Sequence, residues 1–456
     1  MLFAPHEPSD TTARGEARVG ILRRVINEWW DRLYALAFGH VPLGDHARLY
    51  SAGETRRDYV WNTVGQTLWG ALLPILTIVS TQLAGAEEAG RFNLAFTIAT
   101  LMLWLGNYGM RTYQVSDVDE MDSFAAYQIQ RALTCAAMLA CGWFYCTARG
   151  YDSAMSLITA GAFAYRAIDA FADVYEGRLQ QMDKLYLSGI SQSLRTVIPL
   201  VAFTVLLLTT KSLATASIVL AVSELVSVLG ITLPLVLLET PVSRPWQWLE
   251  VRELFRECFP AFAAMFLFNL IETVPKFAME GVLPYEDQVF FSAIYFPAQK
   301  ALMVVGFVYK PQLVRLANIW QDSTKRARFD LVVVAVLAFC GLVTLVFLAY
   351  AALIGIPIST FLYGVDFEPY RTAQYLMMIA GGLAAAIDFL FQILTVLREQ
   401  ATATRIYVAA FAFVTVTSMV LVRTLGFMGA VYAYLAVMVA LFSLLLAQYL
   451  LVRVRS

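Results

Sequence analysis

Charge is what this sequence has least of. Only 15% of its 456 residues are Asp, Glu, Lys or Arg, where soluble chains carry roughly 25%. Histidine is scarcer still: His6, His40 and His46 are the only three, and none of them falls in an apolar run. The five cysteines (Cys135, Cys141, Cys146, Cys258 and Cys340) lie in or at the ends of such runs, away from any histidine. They read as small apolar residues, and neither a metal centre nor a disulfide framework is expected. No Gly-rich phosphate loop of the Walker type occurs, which argues against ATP-driven pumping by this chain alone. No cofactor is implied, and nothing points to nucleic acid.

What is present is hydrophobic length. Apolar residues make up 59% of the chain and the mean hydropathy is +0.64. Runs such as TVIPLVAFTVLLLTT and LVVVAVLAFCGLVTLVFLAYAALIGI belong to stretches of the roughly 18 or more apolar residues that mark a spanning helix. The fold class expected is an all-α polytopic membrane protein with about twelve transmembrane helices. The spans fall near 59–83, 91–110, 126–147, 152–174, 187–209, 212–238, 257–279, 288–310, 330–353, 372–396, 404–422 and 427–452. Ahead of them, RVGILRRVINEWWDRLYALAFGH gathers Val25, Ile26, Trp29, Trp30 and Leu33 on one helical side. It reads as a helix lying in the membrane interface.

The formal net charge of −1 says little; where the charges stand says more. With a cytoplasmic N-terminus, about 25 of the basic residues fall on the inside. Arg91, Arg149, Lys211, Arg371 and Arg423 fall in outside loops, and Arg166, Lys276 and Lys300 within spans. Both termini are then expected in the cytoplasm, and the outside loops are short. Short loops argue against a glycan polymerase or ligase with extracytoplasmic chemistry. The triplet Asp117-Val118-Asp119 reads as a solvated acidic loop.

Spans one and seven begin about 198 residues apart, and AGRFNLAF lies over EDQVFFSAI with Phe92 on Phe290 and Ala95 on Ala293. Two parallel six-helix lobes follow, related by an axis along the membrane normal and enclosing a central cavity. The expected units are a cytoplasmic segment 1–58, a first lobe 59–239 and a second lobe 240–456.

A charge at mid-membrane costs roughly 2.5–3.5 kcal/mol on insertion scales, so each one needs a reason. In FNLIETVPKFAME, Asn269, Glu272, Lys276 and Glu280 share a helical face, and the two acids are expected to hold Lys276 from either side. Lys300 sits mid-span after Pro297 with no acid three or four residues away. Arg166, Asp169 and Asp173 share a face in span four. Asp388 and Glu224 are isolated acids, and Arg111 closes span two. Several cations, compensating acids, aromatics and amides around one cavity suit an anionic amphiphile, and Lys is a serviceable point-charge partner for phosphate. An amphipathic drug or another anion remains open on this chemistry.

The chain resembles the polysaccharide-exporting (Wzx-like) branch of the multidrug/oligosaccharidyl-lipid/polysaccharide superfamily. The likeness runs from 59 to 452. It is carried by WNTVGQTLWGALLPILTIVSTQLAGAEEAGRFNLAF, GNYGMRTYQVSD, LFRECFPAFAAMFLFNLIETVPKFAMEGVLPYEDQVFFSAIYFP, FVYKPQLVRLANIW and LREQATATRIY. The resemblance implies alternating access and export of an undecaprenyl-diphosphate-linked oligosaccharide from the inner to the outer face of a bacterial cytoplasmic membrane. Membrane lipids and glycan-assembly proteins are its implied partners. It points to Lys276 and Lys300, then Arg111 and Arg166, for the diphosphate. Glu272, Glu280, Asp169 and Asp388 are the orienting or coupling acids. Peptidoglycan-precursor flippases carry arginines in spans one and two and two further C-terminal helices; this sequence matches neither feature. A cation-coupled multidrug exporter of the same superfamily is the alternative, and three buried bases make it the weaker one.

Overall fold

The computed structural model describes residues 55–117, 119–321 and 326–455. The interfacial helix expected around Trp29 and Trp30 lies outside them. In chain order the helices are α1 (Thr55–Ala84), α2 (Ala86–Asn107), the short α3 (Met110–Ser116), α4 (Phe124–Arg149), α5 (Ser153–Gln181), α6 (Leu185–Thr210) and α7 (Leu213–Glu239). The second half continues with α8 (Trp248–Met279), α9 (Glu286–Tyr309), the short α10 (Leu313–Gln321), α11 (Arg326–Tyr363), α12 (Arg371–Val396), α13 (Gln400–Leu425) and α14 (Phe427–Arg455).

Among the described residues, nine helices are long and apolar enough to cross a membrane. The more polar α2, α4 and α5 have 22, 26 and 29 residues, and at 1.5 Å per residue each matches a hydrocarbon core of about 30 Å. Nine and three make twelve, one for each expected span. The expected limits are too short where charged turns extend a helix into the interface. Thus α5 runs on to Gln181, and α8 begins at Trp248.

Because twelve long helices alternate in direction, the start of α1 and the end of α14 share one face. The opposite, distal face carries six tight turns. Five of them hold a glycine at positive φ (Gly85, Gly150, Gly281, Gly364 and Gly426), and Lys211 takes the left-handed conformation in the sixth. Two helices contain a π-helical turn, Val228–Thr232 in α7 and Ala351–Gly355 in α11. Pro234 and Pro357 follow each turn by two residues. The N–H each proline lacks frees the carbonyl four residues earlier, which loosens the winding there.

The buried apolar residues form two principal cores. One joins Leu72, Phe92, Phe96, Phe163, Phe203 and Leu220 in the first half. The other joins Ile271, Phe291, Val333, Met377, Leu390 and Met438 in the second. Helix α8 belongs to both halves. Val251, Leu254 and Cys258 pack with Met110, Tyr127 and Val174, while Ile271, Val274 and Met279 enter the second core.

The two segments aligned through Phe92 and Phe290 lie in α2 and α9, which pack against each other between the two cores. Ser292 donates to Asn93 Oδ1 at 2.7 Å. Nearer the distal face the approach is closer still: a Cβ on Gly90 would stand 1.9 Å from the Tyr285 carbonyl oxygen. At the terminal face the linker between the lobes is clamped to the α3–α4 loop. Arg244 donates to Glu250 at 2.7 Å, and Glu250 accepts from the Ser123 hydroxyl at 2.7 Å.

Candidate functional site: an interlobe cavity

Three cavities meet at Trp104 of α2. One of about 210 Å³ lies in the first lobe, lined by Gln66, Trp69, Asn107, Asp169, Asp173, Glu176, Gln192 and Arg195. One of about 130 Å³ lies between the lobes, with Thr97, Thr100, Asn269, Glu272, Lys276 and Tyr295 on its walls. The third, about 280 Å³, lies on the second-lobe side and adds Gln299, Lys310, Asp388, Gln392 and Tyr407. Together they form a polar path through the middle of the molecule. Lys276, Glu272, Asp169 and Asp388 all line it.

Lys276 is 4% exposed. Its ammonium donates to Ser292 Oγ at 2.7 Å and to Thr97 Oγ1 at 3.2 Å. The rings of Tyr295 and Phe296 lie 5.5 and 5.8 Å away, close enough for cation–π attraction. Among the described residues no carboxylate comes within ion-pair distance of it. The expected clamp by Glu272 and Glu280 is therefore corrected. Glu272 turns to the second lobe, accepting from Gln299 Nε2 at 2.6 Å and from the Tyr434 hydroxyl at 3.1 Å. Glu280 leaves the stripe because α8 ends at Met279, and its backbone is extended (φ −63°, ψ 123°). It lies at the distal face, where Arg149 Nη2 meets it at 2.5 Å and the hydroxyls of Tyr145 and Tyr151 both donate to it. This is an interlobe latch, not a cavity group.

Lys300 stands apart from the three cavities. It is exposed, with Nζ 3.8 Å from where a Cβ on Gly70 of α1 would be, on the seam between α1 and α9. No ion pair engages it among the described residues.

The cations of the first lobe are compensated, which corrects the expectation that Arg111 and Arg166 are available to a ligand. Arg166 donates to Asp169 Oδ2 at 3.0 Å and to Thr100 Oγ1 at 3.1 Å, with its guanidinium 4.6 Å from the Phe96 ring. Arg111 binds Asp173 at 2.6 Å and Gln180 at 2.9 Å. Two further buried arginines join this network, and a third, Arg178, lies away from it and pairs with Glu120 at 2.7 Å; the sequence reading assigned none of the three to a site. Arg195 joins Asp169 at 2.8 Å, Glu176 at 3.0 Å and Glu224, and Arg131 joins Asp173 at 3.0 Å. Four arginines thus meet four acids, and α5 presents Arg166, Asp169, Asp173 and Glu176 along one side. The available signal was spacing: Arg195 stands mid-helix in SQSLRTVIPL, where no surface is in reach. In the second lobe Asp388 is not isolated, since the Tyr309 hydroxyl donates to it and Lys310 Nζ is 3.6 Å away.

No protein-family model and no curated protein matches this sequence. Solved structures do match its shape. One is the inward-facing conformation of a multidrug resistance MATE family transporter of the MOP superfamily (12% identity, TM-score 0.63, covering 85% of this chain and 94% of that one). The chain has the fold of these transporters. A MOP superfamily transporter from Pyrococcus furiosus, described as having a binding pocket of reverse polarity, aligns at 13% identity and TM-score 0.56 over 88% and 94% of the two chains. A mutant of the Vibrio cholerae MATE transporter VcmN aligns at 16% identity and TM-score 0.56 over 87% and 98%. Both alignments extend over nearly nine-tenths of this chain.

Proposed function

We propose that this chain is a transporter, not an enzyme, and that it moves an anionic amphiphile, a lipid-linked diphosphate oligosaccharide, between the faces of a bacterial cytoplasmic membrane by alternating access. The observation that carries the reading is Lys276, a buried cation at the lobe boundary whose partners are two hydroxyls and two aromatic rings. Hydroxyls orient an ammonium without neutralising it, so a phosphate oxygen entering the cavity gains a charge-assisted bond that no resident carboxylate already makes. The four first-lobe arginines differ in each having an acid partner. Lys300, with no acid beside it on the α1–α9 seam, stands where an anionic headgroup would pass between lobe and lipid. The amides and aromatics of Asn269, Gln299, Tyr295 and Trp104 suit sugar hydroxyls. Positive-inside asymmetry supports a cytoplasmic side for both termini, with the Glu280 latch then at the outer face.

Drug export is the second reading, favoured by Glu272 and Asp388 on the walls of the second-lobe cavity. One experiment separates the two. The full chain is reconstituted in liposomes with a labelled undecaprenyl-diphosphate oligosaccharide and, in parallel, with a lipophilic cation. The lipid should be translocated by the wild type and not by Lys276→Met. Transport of the cation alone, insensitive to Lys276→Met and abolished by Glu272→Gln, would overturn the flippase reading in favour of drug export.

A further inference from the structure

The contact between α2 and α9 is stitched by a row of polar side chains that begins at Lys276. Its ammonium donates to Ser292 Oγ at 2.7 Å, and Ser292 Oγ donates to Asn93 Oδ1 at 2.7 Å. Asn93 Nδ2 then donates to Thr77 Oγ1 at 2.9 Å, and Thr77 Oγ1 to the Leu73 carbonyl at 2.7 Å. Ser292, Asn93 and Thr77 are fully buried. The two ends fix the direction of every bond, since an ammonium only donates and a carbonyl only accepts. The row runs from α8 through α9 and α2 to α1.

Thr97 stands beside this row and not in it. It is one turn further along α2 than Asn93, half-buried, and lines the same interlobe cavity as Lys276. Its Oγ1 accepts from Lys276 at 3.2 Å. An ammonium has three N–H groups: Ser292 takes one, Thr97 a second, and the third is left for the cavity. The end of α8 and the helix α9 enter the same core at this level, through Val274, Met279, Phe291 and Ala293. The Lys276–Ser292 bond is therefore kept when α2 parts from them. The bond to Thr97 is lost, because Thr97 moves with α2.

A ligand shifts a conformational equilibrium only as far as it binds the two states differently. The difference here is one N–H group. With α2 seated, Lys276 offers a single donor to an anion; with α2 parted, it offers two. Ser292, its own proton committed to Asn93, holds the remaining N–H in both states. We infer, resting on the reading of Lys276 as the anion contact, that Thr97 couples cargo to opening of the distal face. Its hydroxyl competes with a phosphate oxygen of the cargo for one Lys276 N–H, so loading favours the state in which α2 has parted from α9.

The test uses the full chain in nanodiscs with labelled undecaprenyl diphosphate as probe. Affinity is read from the label, and distal opening from spin labels at Glu87 and Asp366 with the native cysteines replaced. Wild type should bind the lipid and show a longer distal distance with it than without. Thr97→Val keeps the shape of the side chain and removes the competing hydroxyl. It should bind about three- to tenfold tighter, the equilibrium equivalent of one net hydrogen bond. Its distal distances without lipid should already equal those of loaded wild type. Thr97→Ala removes the same hydroxyl with less bulk and should behave alike, whereas Thr97→Ser keeps it and should restore the wild-type pattern. Equal or weaker binding by the Val and Ala variants overturns the coupling, as does a lipid-induced lengthening in them as large as in wild type. Binding that Lys276→Met leaves unchanged overturns the anion contact itself, and the coupling with it.

Discussion

Neutralising Glu280 should open the distal face. Its carboxylate accepts three bonds from the first lobe: Arg149 Nη2 and the Tyr145 hydroxyl on one oxygen, each at 2.5 Å, and the Tyr151 hydroxyl on the other. Glu280→Gln keeps one acceptor oxygen and puts an amide nitrogen in place of the other. Three charge-assisted bonds become neutral or are lost, at roughly 0.5–1.5 kcal/mol each. Arg149 is 37% exposed and regains water, so the total is discounted to about 2 kcal/mol. That shifts the closed-to-open ratio about thirtyfold. A distal-open state held by about 1% of molecules would rise to about a quarter. Spin labels at Glu87 and Asp366, on distal turns of opposite lobes, in a background without native cysteines, report this by pulsed electron resonance. A second, longer distance should grow in Glu280→Gln and grow less in Tyr151→Phe. Distance distributions that coincide with wild type would refute the latch.

Other outcomes follow from the same geometry. Arg195→Met leaves Asp169, Glu176 and Glu224 buried without their shared guanidinium, a loss of about 3–5 kcal/mol; thermal unfolding in detergent should show a collapse in stability, and an unchanged midpoint would mean the network is not structural. Gly189→Ala sets a Cβ 2.4 Å from the Trp61 carbonyl carbon and oxygen, so α1 and α6 must part at about 1–3 kcal/mol; Gly230→Ala, with open space around it, is the control that should cost less than Gly189→Ala. Asp122, in the α3–α4 loop, is pushed up to about 6 by burial and then by the carboxylates of Asp117, Glu250 and Glu257, with Arg244 opposing. The folded loop binds this proton more tightly than the unfolded chain does. Its contribution to stability therefore grows as pH falls from above 6 towards 4 and is absent at higher pH. Asp122→Asn should remove that slope from a pH series of unfolding midpoints, and an unchanged slope would dismiss the group.

Nine of the twelve long helices were legible as long apolar runs, which in lipid favour a helix that satisfies its own backbone; α2, α4 and α5, interrupted by charge, were legible from their length and their place between the others. The site was legible only in part. Same-helix spacing singled out Lys276 with Glu272, and Asp169 with Arg166, and the expense of a lone acid in a span singled out Asp388. Lys276, Glu272, Asp169 and Asp388 line the cavities, whereas Lys300, equally costly, faces the α1–α9 seam. The pairings were not legible. Lys276 meets Thr97, 179 residues away, and Glu280 meets Tyr145, 135 residues away. The local i,i+4 rule is worth only about 0.2–0.5 kcal/mol and yields to any tertiary partner. Arg195 was passed over because a lone arginine in a span declares its need for acids without saying which helices supply them.

Gly90 places the distal closure at the scale of a single methyl group. With the Tyr285 carbonyl where a side chain would begin, α2 and α9 seat against each other only while position 90 stays bare. Alanine there would act as a doorstop. The two lobes would keep their own cores and be held ajar at one end, so a substitution the size of one methyl group becomes a handle for trapping, and imaging, the distal-open conformation.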